Sequence, residues 1–420
     1  MALPMVQLVA FEGPDRYSFV GGLATRMNDL AEALVVRGYE VRHLFVGDPK
    51  APAAEVRMSG RLTLQRWGQW ISAYHPKDVY DGEDGKWRDF SRTVPPHLVG
   101  DVIAPADALG RRTIVMFEDW QTADAAIGTA VLLASRGLRP AASLFWNANN
   151  TYGLGAIDLP SLARAATVTT VSRFMRAALA ELDLEAGVLP NGIAERWLKP
   201  VPPADSKILR DAFGDRPTLV KVARFDRDKR WVWAVDAVAA LKASGRKPRL
   251  VMRGSRSDYA DVVWARAQAR GLSVERLRLE AEAPVPKVAA AIAASPADVV
   301  FLDFFISERA LRALYGAADG VLANSEKEPF GLVGLEVMAC AGIAFVGRTG
   351  EDYAVPYGNS VVVQTDDPRE LAAHLDFLRA RPDAVATIRA DGKETAKRFA
   401  WPRVLPALEA AWEAAATLGR

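Results

Sequence analysis

The sequence has 420 residues, which exceeds one ordinary domain and predicts two or three domains. Half of the residues are hydrophobic and a quarter are charged, a composition typical of a globular protein with apolar side chains for two cores. The 53 basic and 51 acidic side chains nearly cancel, and the net charge of +2 argues against a nucleic-acid-binding protein.

Potential metal ligands are scarce. The single cysteine, Cys340, cannot form an internal disulfide or, alone, a thiolate metal site, and it favours a reducing compartment. The Asp-x-Asp pair at 226–228 lies within a run of basic residues and not at a credible strand end. No obligatory metal is therefore expected. The histidines show no metal-ligand spacing: His43, His75, His97 and His374.

The expected location is the cytoplasm. Residues 1–4 lack the basic segment and apolar run of a signal peptide. The apolar runs elsewhere are interrupted by charges and are shorter than the ~20 residues that span a bilayer. No stable membrane insertion is therefore expected.

The chain begins with strand, glycine loop, helix and strand. Residues 6–11 predict a buried strand, and a loop that ends in two glycines follows it. Apolar side chains at helical spacing predict a helix from Leu23, which Gly38 ends. Residues 41–46 predict the next strand. This order is the opening of a Rossmann-type βαβ unit.

The segment from Arg66 to Phe90 departs from this alternation and is predicted to be a long loop with short helical pieces. It mixes charges with aromatic side chains, namely Trp67, Trp70, Tyr74, Tyr80 and Trp87. Loops on a rigid scaffold often carry function, and aromatic faces beside carboxylates suit a polyhydroxylated ligand. The alternative is that these aromatics fill the core or form a dimer contact, because Trp67 and Trp70 have helical spacing.

The alternation restarts near residue 218. Strands are predicted over 219–223, 250–252, 299–302 and 321–323, with helices over 231–243, 261–270 and 307–315. Ser307 is a plausible N-cap of the last helix. Two such runs predict two doubly wound domains, with a boundary in the proline cluster 199–203. The tail over 384–419 has a helical composition that Trp401-Pro402 interrupts.

The most informative segment runs from Asn324 to Ala339. It follows a predicted strand and begins a helix, so the free helix amides lie at the carboxyl end of a strand and form an anion site. Glu328 and Glu336 stand eight residues apart around the start of this helix. A pair of surface carboxylates is the ordinary interpretation, but the stretch 331–344 is otherwise apolar, which disfavours it.

The segment Glu328-Pro329-Phe330-Gly331-Leu332-Val333, with Glu336 after it, resembles the Glu-x7-Glu signature of retaining glycosyltransferases of family 4. These are related to bacterial glycogen and starch synthases. The resemblance implies an α/β fold of the GT-B type, with two Rossmann-like doubly wound domains facing a deep cleft. Further motifs lie in the family's order over nearly the whole chain: Gly21-Gly22-Leu23, Val171-Ser172-Arg173-Phe174, Pro190-Asn191-Gly192-Ile193, 222–229 and Ala317-Ala318-Asp319.

The resemblance also implies the domain limits. Residues 1–199 would form the acceptor domain, and residues 200–398 would form the nucleotide-sugar donor domain. Residues 399–420 would form a helix that crosses back to the N-terminal domain. Val404, Leu405, Leu408 and Trp412 would be its apolar face.

The donor site follows from the same resemblance. Arg224 and Lys229 would hold the leaving diphosphate, whose developing charge two cations and helix amides can stabilise without a metal. Glu328 would contact the transferred sugar and Glu336 the ribose, so Glu328, Lys229 and Arg224 are the expected catalytic residues. The other expected donor contacts are Gly21, Gly22, Phe330, Gly331, Leu332 and Val333. Gly350 falls in the family's glycine-rich loop, and either Glu351 or Asp352 would lie near the donor.

The acceptor side departs from the family pattern. Residues 118–122 resemble the synthases' HDWHT motif, but both histidines are replaced, and no histidine occupies 147–150, where relatives often have one. These departures argue against a plain glycogen synthase. The expected acceptor contacts are Asp119, Trp120, Asn147, Asn149, Trp70 and Tyr74.

The predicted activity is transfer of a hexose from a UDP-, GDP- or ADP-sugar to a carbohydrate or small polar acceptor, without a cofactor; homodimer formation is left open. A sugar-nucleotide epimerase is an alternative that the scarcity of histidine disfavours. A phosphorylase that uses inorganic phosphate or pyridoxal phosphate is another alternative, and 420 residues is short for the pyridoxal phosphate class. A non-catalytic nucleotide-sugar-binding module is a third alternative, against which the presence of both cations and both glutamates counts.

Overall fold

The computed structural model describes residues 3–254 and 258–417. The chain divides into two compact units, the first comprising residues 1–194 and 400–420 and the second residues 195–399. The first division precedes the proline cluster 199–203. Pro203 is the first residue of a helix of the second unit, a position where the missing amide proton costs no hydrogen bond. The proline cluster therefore marks the start of a helix and not only the end of the preceding segment.

The first unit is built on a sheet whose strands are all parallel except β3. The strands are β1 Met5–Val9, β2 Glu40–Val46, β3 Ala54–Arg57, β4 Leu62–Trp67, β5 Thr113–Glu118, β6 Ala142–Ala148, β7 Thr167–Thr170 and β8 Gly187–Val188. Their order across the described sheet is β3-β4-β2-β1-β5-β6-β7-β8. Every side chain of β1, β5 and β6 is buried, because helices cover both faces of a parallel sheet.

Helices connect the strands of the first unit. They are α1 Gly22–Arg37, α2 Gln69–Ser72, α3 Glu83–His97, α4 Ala104–Ala108, α5 Ala123–Ser135, α6 Leu159–Ala165 and α7 Arg173–Ala180, with a π-helical segment at Leu98–Ile103 and 3-10 turns at Met58–Gly60, Trp120–Thr122, Arg139–Ala141 and Leu154–Ala156. Gly38 ends α1 in the left-handed conformation, at φ 108°, as its sequence position predicts.

The segment 66–90 differs from the predicted long loop at both ends. Arg66 lies in β4, and the residues from Glu83 onward belong to α3. The guanidinium of Arg66 is buried and donates two hydrogen bonds of 2.8 Å to the carboxylate of Asp15. A charged residue paired inside the fold is invisible to a hydrophobic pattern, which explains why the strand was predicted as a loop.

The second unit contains a sheet whose described strands are all parallel. They are β9 Thr218–Val222, β10 Arg249–Arg253, β11 Val274–Leu277, β12 Val299–Leu302, β13 Gly320–Ala323, β14 Ala344–Val346 and β15 Val361–Val362. Their order is β11-β12-β10-β9-β13-β14-β15. Both β9 and β13 are therefore central, and their carboxyl ends lie side by side.

The helices of the second unit are α8 Glu195–Leu198, α9 Pro203–Phe213, α10 Trp231–Ala243, α11 Asp258–Ala269, α12 Val285–Ala294, α13 Glu308–Ala317, α14 Leu332–Ala339, α15 Glu370–Ala380 and α16 Pro382–Arg398, with a 3-10 turn at Arg227–Lys229. The predicted limits of α10 are confirmed. The predicted cap of α13 is confirmed as well, since the Ser307 hydroxyl accepts a hydrogen bond from the Ala310 amide.

The last helix, α17 Trp401–Thr417, belongs to the first unit, which confirms the predicted return of the chain. The predicted apolar face, Val404, Leu405, Leu408 and Trp412, is buried in the same core as α1. Glu409 fixes the outer side of the contact, because its carboxylate accepts hydrogen bonds from Arg37 and from the Tyr39 hydroxyl at 2.9–3.0 Å.

The described residues contain neither a membrane-spanning helix nor a cluster of metal-binding side chains. Over 3–254 and 258–417, no helix has the length and apolar character that crossing a membrane requires. The same residues contain no group of three or more His, Cys, Asp or Glu side chains that could hold a metal ion. Burial raises the pKa of the Cys340 thiol to about 12, so this buried cysteine stays protonated.

Candidate functional site

The site of the second unit is built where β9 and β13 end. A 3-10 turn after β9 carries Lys229, whose ammonium lies 3.1 Å from a carboxylate oxygen of Glu328 and 3.3 Å from one of Asp228. The amide of Glu326 donates to the Asp228 carbonyl at 2.8 Å, which joins the turn to the loop that follows β13. The two predicted residues Lys229 and Glu328 are therefore brought into direct contact, although 99 positions separate them.

Two neighbouring carboxylates keep the Lys229 side chain positively charged. Burial alone would lower the pKa of the Lys229 ammonium, but the carboxylates of Glu328 and Asp228 outweigh it and raise that pKa. The side chain keeps 18% of its surface exposed. Lys229 is thus a cation at neutral pH that can still reach a ligand.

Helix α14 begins beside this pair. Gly331 precedes it at φ 84°, and a β-carbon there would approach Glu351 and Tyr353 within 3 Å, so both conformation and space require glycine. No side chain of the described residues caps this helix start. Leu332 and Val333 are half-buried at its first turn, whereas Phe330 is buried. Glu328, the partner of Lys229, thus lies beside the start of α14, since a β-carbon at Gly331 would approach its side chain to 3.3 Å.

Of the two acidic residues left open by the sequence, Glu351 packs beside Gly331. Its carboxylate accepts a hydrogen bond from the Gly347 amide at 3.2 Å, and its other oxygen has no partner among the described residues. Burial and then the nearby Glu328 charge raise the Glu351 pKa to about 8. Glu351 is therefore neutral at pH 7 and can donate a hydrogen bond.

Arg224 and Glu336 take different positions. The Arg224 side chain is exposed and forms no hydrogen bond or ion pair with the described residues, so it is not part of the Lys229–Glu328 contact. Its backbone carbonyl accepts a hydrogen bond from the Trp231 indole at 2.7 Å. Glu336 is half-buried within α14. Both remain predictions as ligand contacts.

A buried lysine lies beneath the site and was not predicted. Lys221 has 1% of its surface exposed, and its ammonium donates 3.0 Å hydrogen bonds to the Leu322 carbonyl and the Asn324 side-chain oxygen. It also lies 5.4 Å from the centre of the Trp231 ring. The available signal was a lysine inside the apolar strand TLVKV.

In the first unit, a carboxylate occupies the start of α1. The amides of Gly21 and Ala24 each donate to one Glu12 oxygen at 3.0 Å, while the Tyr80 hydroxyl donates to the other. Gly22 is exposed, with open space where a side chain would be. The glycine pair thus lies at the N-terminus of α1. Two amides of this helix start, those of Gly21 and Ala24, are already bonded to Glu12.

Three of the predicted acceptor residues, Asp119, Asn147 and Asn149, meet at the ends of β5 and β6. Glu118 forms a bidentate pair with Arg26, with distances of 3.1 and 3.2 Å, and both side chains are buried. The same carboxylate accepts hydrogen bonds from the amides of Asn147 and Asn149 at 3.0 and 2.6 Å. Asn147 is fully buried, so it supports this cluster, whereas Asn149 remains half-exposed.

Asp119 has a strained backbone within the same cluster. Its φ of 68° is unfavourable for a residue with a side chain, and such strain is often found at functional sites. Its carboxylate accepts hydrogen bonds from the Asn149 amide and the Asn150 side chain at 2.9 and 2.6 Å. Burial, with the Glu118 charge adding to it, raises the Asp119 pKa to about 8.

The predicted aromatic residues separate into two groups. Trp70 and Tyr74 are 64% and 80% exposed, so the alternative that they fill the core is wrong. Trp67 is half-buried, and its indole donates to the Thr93 hydroxyl at 2.7 Å. Trp87 lies against Trp120, with ring centres 5.8 Å apart, which connects this segment to the β5 end.

The family comparison matches the second unit. Residues 210–395 match the family described as "Glycosyl transferases group 1". A segment of 107 residues is 40% identical to a D-inositol 3-phosphate glycosyltransferase of Thermobispora bispora. This match covers 25% of the chain and spans only 25% of the length of that relative.

Solved structures of similar architecture cover nearly all of the chain. Sucrose-phosphate synthase from Thermosynechococcus elongatus aligns with 97% of this chain and 98% of its own, with a TM-score of 0.68 and 19% identity. The catalytic domain of starch synthase IV from Arabidopsis thaliana, bound to ADP and acarbose, aligns with 99% and 100%, with a TM-score of 0.71 and 16% identity. At these identities the similarity shows the fold, which is the GT-B fold.

Proposed function

We propose that the protein, whose residues 210–395 match the group 1 glycosyltransferases and whose fold is GT-B, transfers a hexose from a nucleoside diphosphate to a carbohydrate or small polar acceptor, with retention of configuration. The observation that carries the proposal is the 3.1 Å contact between Lys229 and Glu328 beside the start of α14. It combines a cation, a carboxylate and helix amides at the carboxyl edge of a parallel sheet, where such folds bind ligands.

The proposed chemistry follows from where charge develops. As the glycosidic bond to the diphosphate breaks, negative charge grows on the phosphate oxygens, and Lys229, Arg224 and the α14 amides stabilise it. Glu328 contacts the sugar and supports its developing positive charge. For a retaining transfer on one face of the sugar, a diphosphate oxygen accepts the proton of the acceptor hydroxyl. Glu336 binds the ribose hydroxyls.

The second unit is proposed to bind the donor and the first unit the acceptor. The ADP named in the starch synthase structure supports a nucleoside diphosphate as the leaving group. The inositol phosphate, sucrose phosphate and starch in the relatives' names support a polyhydroxylated acceptor. The two cations replace a metal in the proposed chemistry, so no cofactor is proposed.

Nucleoside diphosphates should stabilise the protein against thermal unfolding in excess EDTA. UDP, GDP and ADP are compared, and the best ligand should add about 2.7 kcal/mol at 100 times its dissociation constant. Lys229→Ala should reduce this shift, because the diphosphate then loses its half-buried cation. If none of the three shifts Tm, or a shift requires added manganese or magnesium, the donor proposal or its metal independence fails.

Trp70→Ala and Tyr74→Ala should each raise the acceptor KM while leaving Tm and nucleotide affinity nearly unchanged. The reason is their exposure, since neither side chain has core contacts to lose. Steady-state kinetics with the acceptor varied, alongside thermal unfolding, checks this expectation. Leu109→Ala, an exposed apolar residue of the same unit, is the control. An unchanged acceptor KM in both aromatic variants would remove them from the acceptor site.

A further inference from the structure

Lys221 is a buried lysine whose amino group has no carboxylate partner among the described residues. Its ammonium has two neutral acceptors, a carbonyl and an amide oxygen, and no carboxylate of the described residues lies within salt-bridge distance. The side chain faces Asn324 of the loop after β13 and the Trp231 ring of α10. Burying an ammonium costs free energy unless it is paired, so this position calls for an explanation.

The charges that surround Lys221 do not compensate it. Lys229 and Arg230 add positive charge from the turn after β9, while Asp228 and Glu328 add negative charge. Both of these carboxylates are already engaged by Lys229, and Arg230 pairs with Asp366. In addition, the Asn324 side-chain nitrogen is buried without a partner among the described residues. A positive charge on Lys221 would therefore have no partner of its own within the described cluster.

We propose that Lys221 couples donor binding to proton uptake, so that the diphosphate binds together with a proton on Lys221 and its affinity falls as the pH rises above neutrality. This inference rests on the proposed function, because the anion is the diphosphate held by Lys229 and the α14 amides. Lys221 does not touch the ligand in this scheme. It is a positioning residue that supplies charge from beneath the site.

The direction of the effect follows from linkage. Burial, and then the positive charges of Lys229 and Arg230, lower the Lys221 pKa to about 7, so the unliganded side chain is largely neutral at pH 8. A diphosphate close by favours the charged form and raises that pKa. Affinity is therefore highest below pH 7 and declines above it, by up to about tenfold for each pH unit until the pKa of the complex is reached.

The test is calorimetric titration of the full-length protein with UDP, GDP or ADP, whichever binds best. For the wild type, Kd should rise about five- to eightfold between pH 7.5 and pH 8.5, as expected for a group with a pKa of about 7. Titrations at pH 8 in two buffers of different ionisation enthalpy should reveal uptake of close to one proton. Lys221→Met should lose the part of both effects that Lys221 contributes, and Lys221→Arg should bind with less dependence on pH than the wild type because its charge persists.

Other titrating groups are present in every variant, so their contribution to the pH dependence cancels when the variants are compared. Glu351 and the ligand phosphate titrate equally in the wild type and in Lys221→Met, so the difference between the two proteins reports Lys221. If the two show the same pH dependence and proton uptake, the coupling is refuted while donor binding stands. If no nucleoside diphosphate binds the wild type, both this inference and the proposed function are refuted. Should Lys221→Met fail to fold, the wild-type proton uptake and Lys221→Arg still decide.

Discussion

Lys229→Ala should lower kcat by about 10²- to 10³-fold, which corresponds to about 2.7–4 kcal/mol of lost transition-state stabilisation. Lys229 combines three features that such a role requires: partial burial, a raised pKa and contact with Glu328. Charge develops on the diphosphate only as the bond breaks, so the loss should appear in kcat more than in the donor KM.

Steady-state kinetics of donor cleavage and sugar transfer measure this effect. Lys207→Ala serves as the control, because Lys207 is exposed on α9 of the same unit and, among the described residues, pairs with Asp211 alone. The control should retain wild-type kcat. Lys229→Arg should recover part of the activity, since it keeps the charge but changes its position. Wild-type kcat in Lys229→Ala would show that Lys229 does not hold the leaving group.

Glu118→Ala should destabilise the first unit by about 3–5 kcal/mol, because it leaves the buried guanidinium of Arg26 without its carboxylate. The same substitution removes the acceptor that Asn147 and Asn149 share. For a unit of this size the unfolding temperature should fall by on the order of 10 °C.

Thermal unfolding, followed together with proteolysis of the first unit, checks this expectation. Glu118→Gln should be less damaging, since it keeps an oxygen acceptor within the cluster. Asp211→Ala breaks an exposed i,i+4 pair on α9 and should change stability by no more than about 0.5 kcal/mol. A Tm for Glu118→Ala equal to that of Asp211→Ala would mean that the buried cluster contributes little to stability.

The local structure of the segment from Asn324 to Ala339 could be predicted well because its signals are local. The strand, the turn with Gly331 and the helix that follows are encoded within one short segment, and the sign of the helix dipole follows from the chain direction. Lys229 is a prediction from the family resemblance of residues 222–229, together with its position after the first strand of the second unit. For these residues, the type and order of the secondary-structure elements fix where they lie along the sheet edge.

Other residues could not be predicted because their partners are distant in sequence. Arg26 and Glu118 are 92 positions apart, and they meet only because β1 lies next to β5 in the sheet. Lys221 and Asn324 are 103 positions apart and meet because β9 pairs with β13. From the hydrophobic pattern alone, each of these polar residues is predicted to be exposed. In the structure all four are buried and hydrogen-bonded.

The sequence by itself determined the alternation of strands and helices, the two doubly wound units and the start of α14 after a strand, because periodicity and helix termini act over a few residues. Only the tertiary structure decided that Glu351 packs beside Gly331, that Glu12 caps α1 and that Lys221 is buried without a counter-charge. Strand order brings such groups together, and the burial that follows shifts their pKa values. That is a property of the assembled sheet and of no single segment.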